Sequence, residues 1–197
     1  MIKSRAQTEQ RIINAVETLL LESGFPAVGI NAIARQAGCD KVLIYRYFEN
    51  LDGLLQRVAD NNDLWWTVDE IITENMDEIS LLSLPQFIER LLKRHIVAVQ
   101  KRALTREVMA WEMSEHNALT QALSRIRTEQ GMLLVKRVRG YYDNPAIDIG
   151  GILGIFGAAI NYLVIRTRHA NSEYEKEEWW RLEHTISSLL HCQAGNP

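Results

Sequence analysis

Apolar residues recur along this chain at intervals of three and four and almost nowhere in strict alternation, a pattern that predicts helices throughout. In SRAQTEQRIINAVETLLLESG, Ile12, Val16, Leu19 and Leu20 make one face of a first helix, and Gly24 supplies its stop. INAIARQA reads as a short second helix, with Ile30, Ile33, Ala34 and Ala37 at i, i+3, i+4 and i+7. Gly38 ends it, and Asp40 is placed to cap a third helix that runs to Phe48. A fourth helix, capped by Asn50 or Asp52, is expected to continue past Trp65 and Trp66. Pro85 suits the first turn of a helix reaching about Arg102. Shorter helical patterns follow at 104–115 and 118–139, then an apolar helix at 147–168 and a closing amphipathic one. The expectation is an all-α chain of about nine helices, with a three-helix domain over 1–50 and a larger helical domain over 51–197.

Composition adds few exclusions. Of 197 residues, 47% are hydrophobic and 24% charged, the balance of an ordinary globular chain. Two cysteines, Cys39 and Cys192, lie far apart and suggest no disulfide framework. The polar start MIKSRAQTEQ is not a secretory signal. The most apolar stretch, IGGILGIFGAAINYLVI, contains Asn161 and falls short of the ~18 apolar residues of a spanning helix. A cytoplasmic protein with no membrane partner is therefore expected.

Charge is more informative by segment. The net charge of −3 argues against a generally basic nucleic-acid binder. Residues 1–50 carry six Lys/Arg against five Asp/Glu, and residues 51–80 carry one against eight. Any DNA-binding face must be local, near the N-terminus and clear of the acidic block.

Two short helices joined by a glycine-containing turn form the helix-turn-helix pattern. At ~100° per residue, Ile44 and Phe48 share one face of the third helix, while Val42 and Arg46 lie nearly opposite. Leu43 and Tyr45 flank that outer face, and Lys41 sits in the first turn. Aliphatic side chains beside cations on an outward face suit the major groove, where thymine offers a methyl group and guanine two acceptors. Val42 and Leu43 are candidates for thymine, Arg46 and Lys41 for guanine or phosphate, and the Tyr45 and Tyr47 hydroxyls for phosphate. The alternative is that Val42 and Leu43 pack against another part of the same chain.

The stretch GFPAVGINAIARQAGCDKVLIYRYFENLDGLL resembles the N-terminal signature of the TetR (tetracycline-repressor-like) family of transcriptional regulators. The match is carried by Gly24-Phe25, Ile33-Ala34, Ala37-Gly38 and LIYRYF ending at Phe48, and it covers about the first 55 residues. The resemblance implies a homodimeric, ligand-responsive DNA-binding protein, usually a repressor, on a two-fold-symmetric (palindromic) operator in double-stranded DNA. It places Lys41, Val42, Leu43, Tyr45, Arg46 and Tyr47 on DNA-facing positions, with Asn31 on a second-helix position that also reaches DNA. Three positions depart from the family pattern. Gly29 replaces the usual Ser or Thr at the start of the second helix, Leu51 replaces a Lys, and Glu49 adds a negative charge. Each removes or opposes a phosphate contact, so modest affinity with steep salt dependence is expected. Lys3 and Arg5 in the basic N-terminal arm are placed to compensate.

In the larger domain, Gly150, Gly154, Gly157 and Ala158 share one face, continuing to Asn161, and admit close approach of another helix. Trp179, Leu182, Ile186 and Leu189 form an apolar stripe on the last helix. Together these are expected to form half of a four-helix homodimer interface, where the resemblance also places it; intramolecular packing is the alternative. A small, mainly apolar effector needs an apolar wall with a few polar groups. The candidates are Trp65, Trp66, His95, Met109, Trp111, Met113 and Phe156, although core packing explains the same residues. Neither Glu112 with His116 and His95, nor His191 with Cys192, has the ligand count of a metal site. GGILG follows no strand and is no dinucleotide loop. No cofactor, metal or catalytic residue is expected. The competing reading is a helical small-molecule binding protein or enzyme with impaired DNA recognition.

Overall fold

A computed structural model describes residues 5–142, 144–169 and 173–192, with the side chains of 176–190 in the last segment. Among the described residues it holds eleven α-helices: α1 (Arg5–Ser23), α2 (Ile30–Ala37), α3 (Lys41–Phe48), α4 (Leu51–Asn61), α5 (Val68–Ile71), α6 (Met76–Ser80), α7 (Leu84–Gln100), α8 (Ala103–Trp111), α9 (Ala118–Tyr141), α10 (Ile149–Arg166) and α11 (Glu173–Cys192). A 3-10 turn, Phe25–Ala27, follows α1. Two compact units result: the chain up to Trp65 together with Arg102–Ile126, and Trp66–Lys101 together with the chain from Arg127 onward.

The first unit forms around α1. Ile12, Val16 and Leu20 from α1, Ile33 from α2, Ile44 from α3, and Leu54 and Val58 from α4 have no solvent access. Each such side chain contributes about 1.5–3 kcal/mol of transfer free energy. Helix α8 packs on α1, and Trp111 sits against Phe25 with ring centroids 5.2 Å apart. Arg102 donates through Nε to the Asp63 carbonyl and pairs with the Asp63 carboxylate, while Thr105 Oγ1 donates to the Leu64 carbonyl. Helix α8 is thereby fixed to the chain that leaves α4. Packing thus extends this unit beyond the expected functional division at residue 50.

Helix α4 stops well before the tryptophans. It ends at Asn61, and Asn62 Nδ2 donates to the Val58 carbonyl and to Glu17. Its apolar periodicity blends into LWW, so the sequence offered no stop signal as clear as a glycine.

In the second unit, α7 is the central element and packs against both α10 and α11. Phe87, Ile88, Leu91, Leu92, His95, Ile96 and Val99 form its buried stripe. Pro85 lies in its first turn, as expected, and Gln86 Oε1 accepts from the Ser83 N–H. The short helices α5 and α6 were not anticipated, because four and five residues are too few to show a period. Side-chain caps mark them instead: Thr67 Oγ1 accepts from the Glu70 N–H, and Asn75 and Glu78 form a reciprocal capping box. Tyr142 Oη donates to the carbonyls of Ile79 and Leu82 and so ties α9 to the end of α6.

Candidate nucleic-acid interface

The link between α2 and α3 is set by backbone hydrogen bonds that only one local conformation permits. Gly38 adopts φ 59, ψ 46, in the left-handed region that costs glycine little. Its N–H donates to Arg35 at 3.2 Å, and the Cys39 N–H donates to Ala34 at 3.0 Å. These two bonds satisfy carbonyls left open at the end of α2 and constitute a Schellman motif. One residue later the Asp40 carboxylate accepts from the Val42 N–H at 2.8 Å and caps α3. The reversal between the two helices is thus specified by Gly38 and Asp40.

Ile44 and Phe48 anchor the inner face of α3 in the core of the first unit. Its outer face stays in solvent: Val42 is 57% exposed and Tyr45 51%. Lys41 and Arg46 are exposed beside them, Leu43 and Tyr47 are half-buried, and Asn31 is exposed on α2. The seven residues expected at DNA therefore all have solvent access within this unit, and Val42 is not packed against it. The Arg5 guanidinium lies over the Tyr47 ring, 5.1 Å from its centroid, and Arg5 Nε donates to Glu9 at 2.6 Å. Lys3 lies outside the described residues.

The departures have visible local consequences. Gly29 caps α2 without a side-chain hydrogen bond. Glu49 is the non-glycine residue with positive φ among the described residues, at φ 68, ψ −50. Asn50 follows and accepts the Gly53 N–H at 2.8 Å, which starts α4.

The proposed effector residues separate between the two units. Trp65, Met109, Trp111 and Met113 belong to the first, where Trp65, Met109 and Trp111 are buried and Met113 is 80% exposed. Trp66, His95 and the half-buried Phe156 belong to the second. There Trp66 Nε1 donates to His95 Nδ1 at 2.7 Å, and His95 Nε2 lies 3.2 Å from Asn161 Oδ1. Indole N–H only donates, so Nδ1 is the acceptor and the neutral ring carries its proton on Nε2, directed at Asn161. Burial pushes His95 down to about 4, partly opposed by the bond to Asn161. Sequence reading placed Asn161 on the small-residue face of α10; its pairing with His95 depends on the packing of α7 against α10.

On α10, Gly154 and Ala158 are exposed, Gly150 and Gly157 are half-buried, and Ile155 and Tyr162 are largely exposed. On α11, Ile186 is buried, Trp179 and Leu182 are half-buried, and Leu189 is 55% exposed. Helix α10 has 18 residues and mean hydropathy 1.7, long and apolar enough to cross a membrane by those measures, contrary to the reading of its apolar stretch as too short. Only 28% of it is buried within the chain. Among the described residues no three His, Cys, Asp or Glu side chains gather into a metal-binding group; the side chains of His191 and Cys192 lie outside them.

An all-helical chain with a capped helix-turn-helix in its first unit defines a class of protein, and comparison with known proteins names the family. Residues 12–58 match the family described as bacterial regulatory proteins, tetR family. The chain therefore carries a helix-turn-helix segment of the TetR-family type over about a quarter of its length. An uncharacterized HTH-type transcriptional regulator of Mycobacterium tuberculosis is 39% identical over 44 residues, 22% of each chain. The aligned part thus spans about a fifth of that relative. Among solved structures, a TetR-like transcriptional regulator from Rhodococcus sp. RHA1 is similar with TM-score 0.58 and 19% identity, over 98% of this chain and all of the other. The hemolysin II transcriptional regulator HlyIIR gives TM-score 0.60 at 15% identity over 94% and 98%. The fatty acid degradation regulator FadR from Bacillus halodurans gives 0.57 at 16% over 95% and 96%. At these identities the structures establish a shared fold.

Proposed function

We propose that this chain is a sequence-specific DNA-binding transcriptional repressor, acting as a homodimer on a two-fold-symmetric operator and released by a small, mainly apolar effector. The observation that carries the reading is the outer face of α3. Val42 and Tyr45 are more than half exposed beside Lys41 and Arg46 on a helix fixed by the Gly38 turn and the Asp40 cap. A rigid helix that presents methyl groups and cations together matches the major groove.

The dimer is supported by the apolar outer sector of α10, which one chain leaves exposed at Gly154, Ile155, Ala158 and Tyr162. Burial of that sector against a second copy accounts for an apolar helix without invoking a bilayer. Effector binding is assigned to the second unit, around Trp66 and His95, where a neutral histidine lies on the apolar buried stripe of α7. An effector that binds better to a dimer whose reading heads miss the half-site spacing of ~34 Å would release DNA. A differential of about 1–3 kcal/mol gives a 5–150-fold change.

The test is selection of genomic DNA fragments by the purified full chain at low and near-physiological salt. One two-fold-symmetric sequence should be enriched and persist at higher salt. Arg46→Ala combined with Lys41→Ala should abolish that preference; retention of it would sink the proposal. Random fragments that wash off as salt rises would favour the competing reading, a ligand-binding protein with an impaired reading head.

A further inference from the structure

The start of α1 and the end of α3 meet at one pair of side chains that the helix-turn-helix motif does not require. Arg5 and Tyr47 are 42 positions apart, yet the guanidinium lies 5.1 Å from the ring centroid. That is within the ~6 Å of a cation–π contact, and arginine is the cation best suited to lie flat on an aromatic ring. The contact places the guanidinium over the ring. Its Nε is bonded to Glu9 at 2.6 Å, while the terminal nitrogens hold no hydrogen bond to a described residue. Tyr47 belongs to the reading helix, so a guanidinium stacked on its ring is carried wherever α3 goes.

We propose that Arg5, held on the Tyr47 ring, is a positioning contact for the phosphate backbone of duplex DNA, and that Glu9 occupies it in the free protein. The assignment rests on the DNA-binding reading above. A planar fork with two free nitrogen ends matches two phosphate oxygens, and charge-assisted bonds of this kind are the stronger ones. The Arg5–Glu9 pair is solvent-exposed and of a type worth little by itself, so a phosphate displaces the carboxylate at small cost. The contact also supplies what the neighbouring sequence lacks: Gly29 offers no hydroxyl at the start of α2 and Leu51 no charge at the start of α4. Because phosphate contacts carry no base information, Arg5 sets affinity and register and leaves sequence preference alone.

The experiment measures binding of the full chain to a mixed-sequence duplex and to the selected operator across a salt series, for wild type and variants. Arg5→Ala should reduce the log–log salt slope by about 0.9 per protomer, equivalent to roughly eightfold weaker binding per protomer at 0.1 M salt. The loss should be equal on both duplexes. Arg5→Lys should restore the slope, since an ammonium keeps the charge, but not the full affinity, since it lacks the planar fork. Glu9→Gln should tighten binding. In a Tyr47→Leu background, Arg5→Ala should cost less than in wild type. An unchanged slope for Arg5→Ala, or an equal effect with and without the Tyr47 ring, overturns the assignment while leaving the regulator intact. Wild-type protein that binds neither duplex overturns the DNA-binding reading and this contact with it. Unchanged helicity and melting of Arg5→Ala, an exposed site, exclude misfolding as the cause.

Discussion

His95 is held between a donor that fixes one ring nitrogen as an acceptor and an oxygen that receives the proton on the other. Protonation would set a second N–H against that of Trp66 inside an apolar wall. The folded imidazole titrates near 4 and the unfolded one near 6.5. Between those values the unfolded chain binds more protons, so the fold keeps full stability above about pH 6.5 and loses up to about 3 kcal/mol as pH falls to 4. Urea unfolding of wild type and His95→Gln at pH 7, 5.5 and 4.5 checks this: the pH dependence should flatten in the variant. Glu49 presents a different problem at residue scale, a side chain at φ 68. Glu49→Gly should raise stability by about 1 kcal/mol, by relief of a strained backbone position, and should tighten DNA binding by removing a negative charge beside α3. A lower midpoint in urea would show that the Glu49 side chain is needed where it stands.

Elements in this protein are set mainly at their ends. Asn50 starts α4 by accepting the Gly53 N–H, and a Cβ at Gly53 would lie 2.2 Å from the Phe48 carbonyl oxygen. Gly53→Ala therefore forces α3 and α4 apart and should destabilise the first unit by about 1–3 kcal/mol; a melting point within experimental error of wild type would contradict it. Gly29 is the converse case. Its backbone is extended, and a Cβ there meets nothing within 4 Å. Gly29→Ser should add a few tenths of a kcal/mol by capping α2 and should tighten DNA binding through the new hydroxyl. In the second unit, Arg94 ties α7 to the chain before α6, donating to the Ile71 carbonyl and twice to Glu74. Those bonds bring the Glu74 carboxyl down to about 2. Its contribution is present above about 4.5 and lost as pH falls toward 2, a window below that of His95.

At the scale of the molecule, the proposed homodimer rests on the apolar sector of α10. One chain leaves Ile155 72% and Tyr162 63% exposed there, beside small residues that would let a second copy approach closely. Ala158→Arg lies on this exposed sector, so it should leave the monomer's melting nearly unchanged while sedimentation shifts from dimer to monomer. Operator binding should then weaken, because a single reading head loses the contacts of the second half-site. A dimer that persists in Ala158→Arg would place the interface elsewhere.

The all-helical class, the turn at Gly38, the cap at Asp40 and the outward set on α3 were legible in the sequence, because each depends on residues within one helical turn of one another. The same locality explains the limits. The stop of α4 at Asn61 depends on Asn62 reaching Glu17, and α5 and α6 are too short to show a period. Trp65 and Trp66 are adjacent in the chain yet belong to different compact units, which no pattern of apolar residues reveals. The Trp66–His95–Asn161 chain and the stacking of Arg5 on Tyr47 join residues 29, 66 and 42 positions apart. Sequence periodicity assigns a residue to a face of its own helix; which face of another helix it meets is decided by tertiary packing alone.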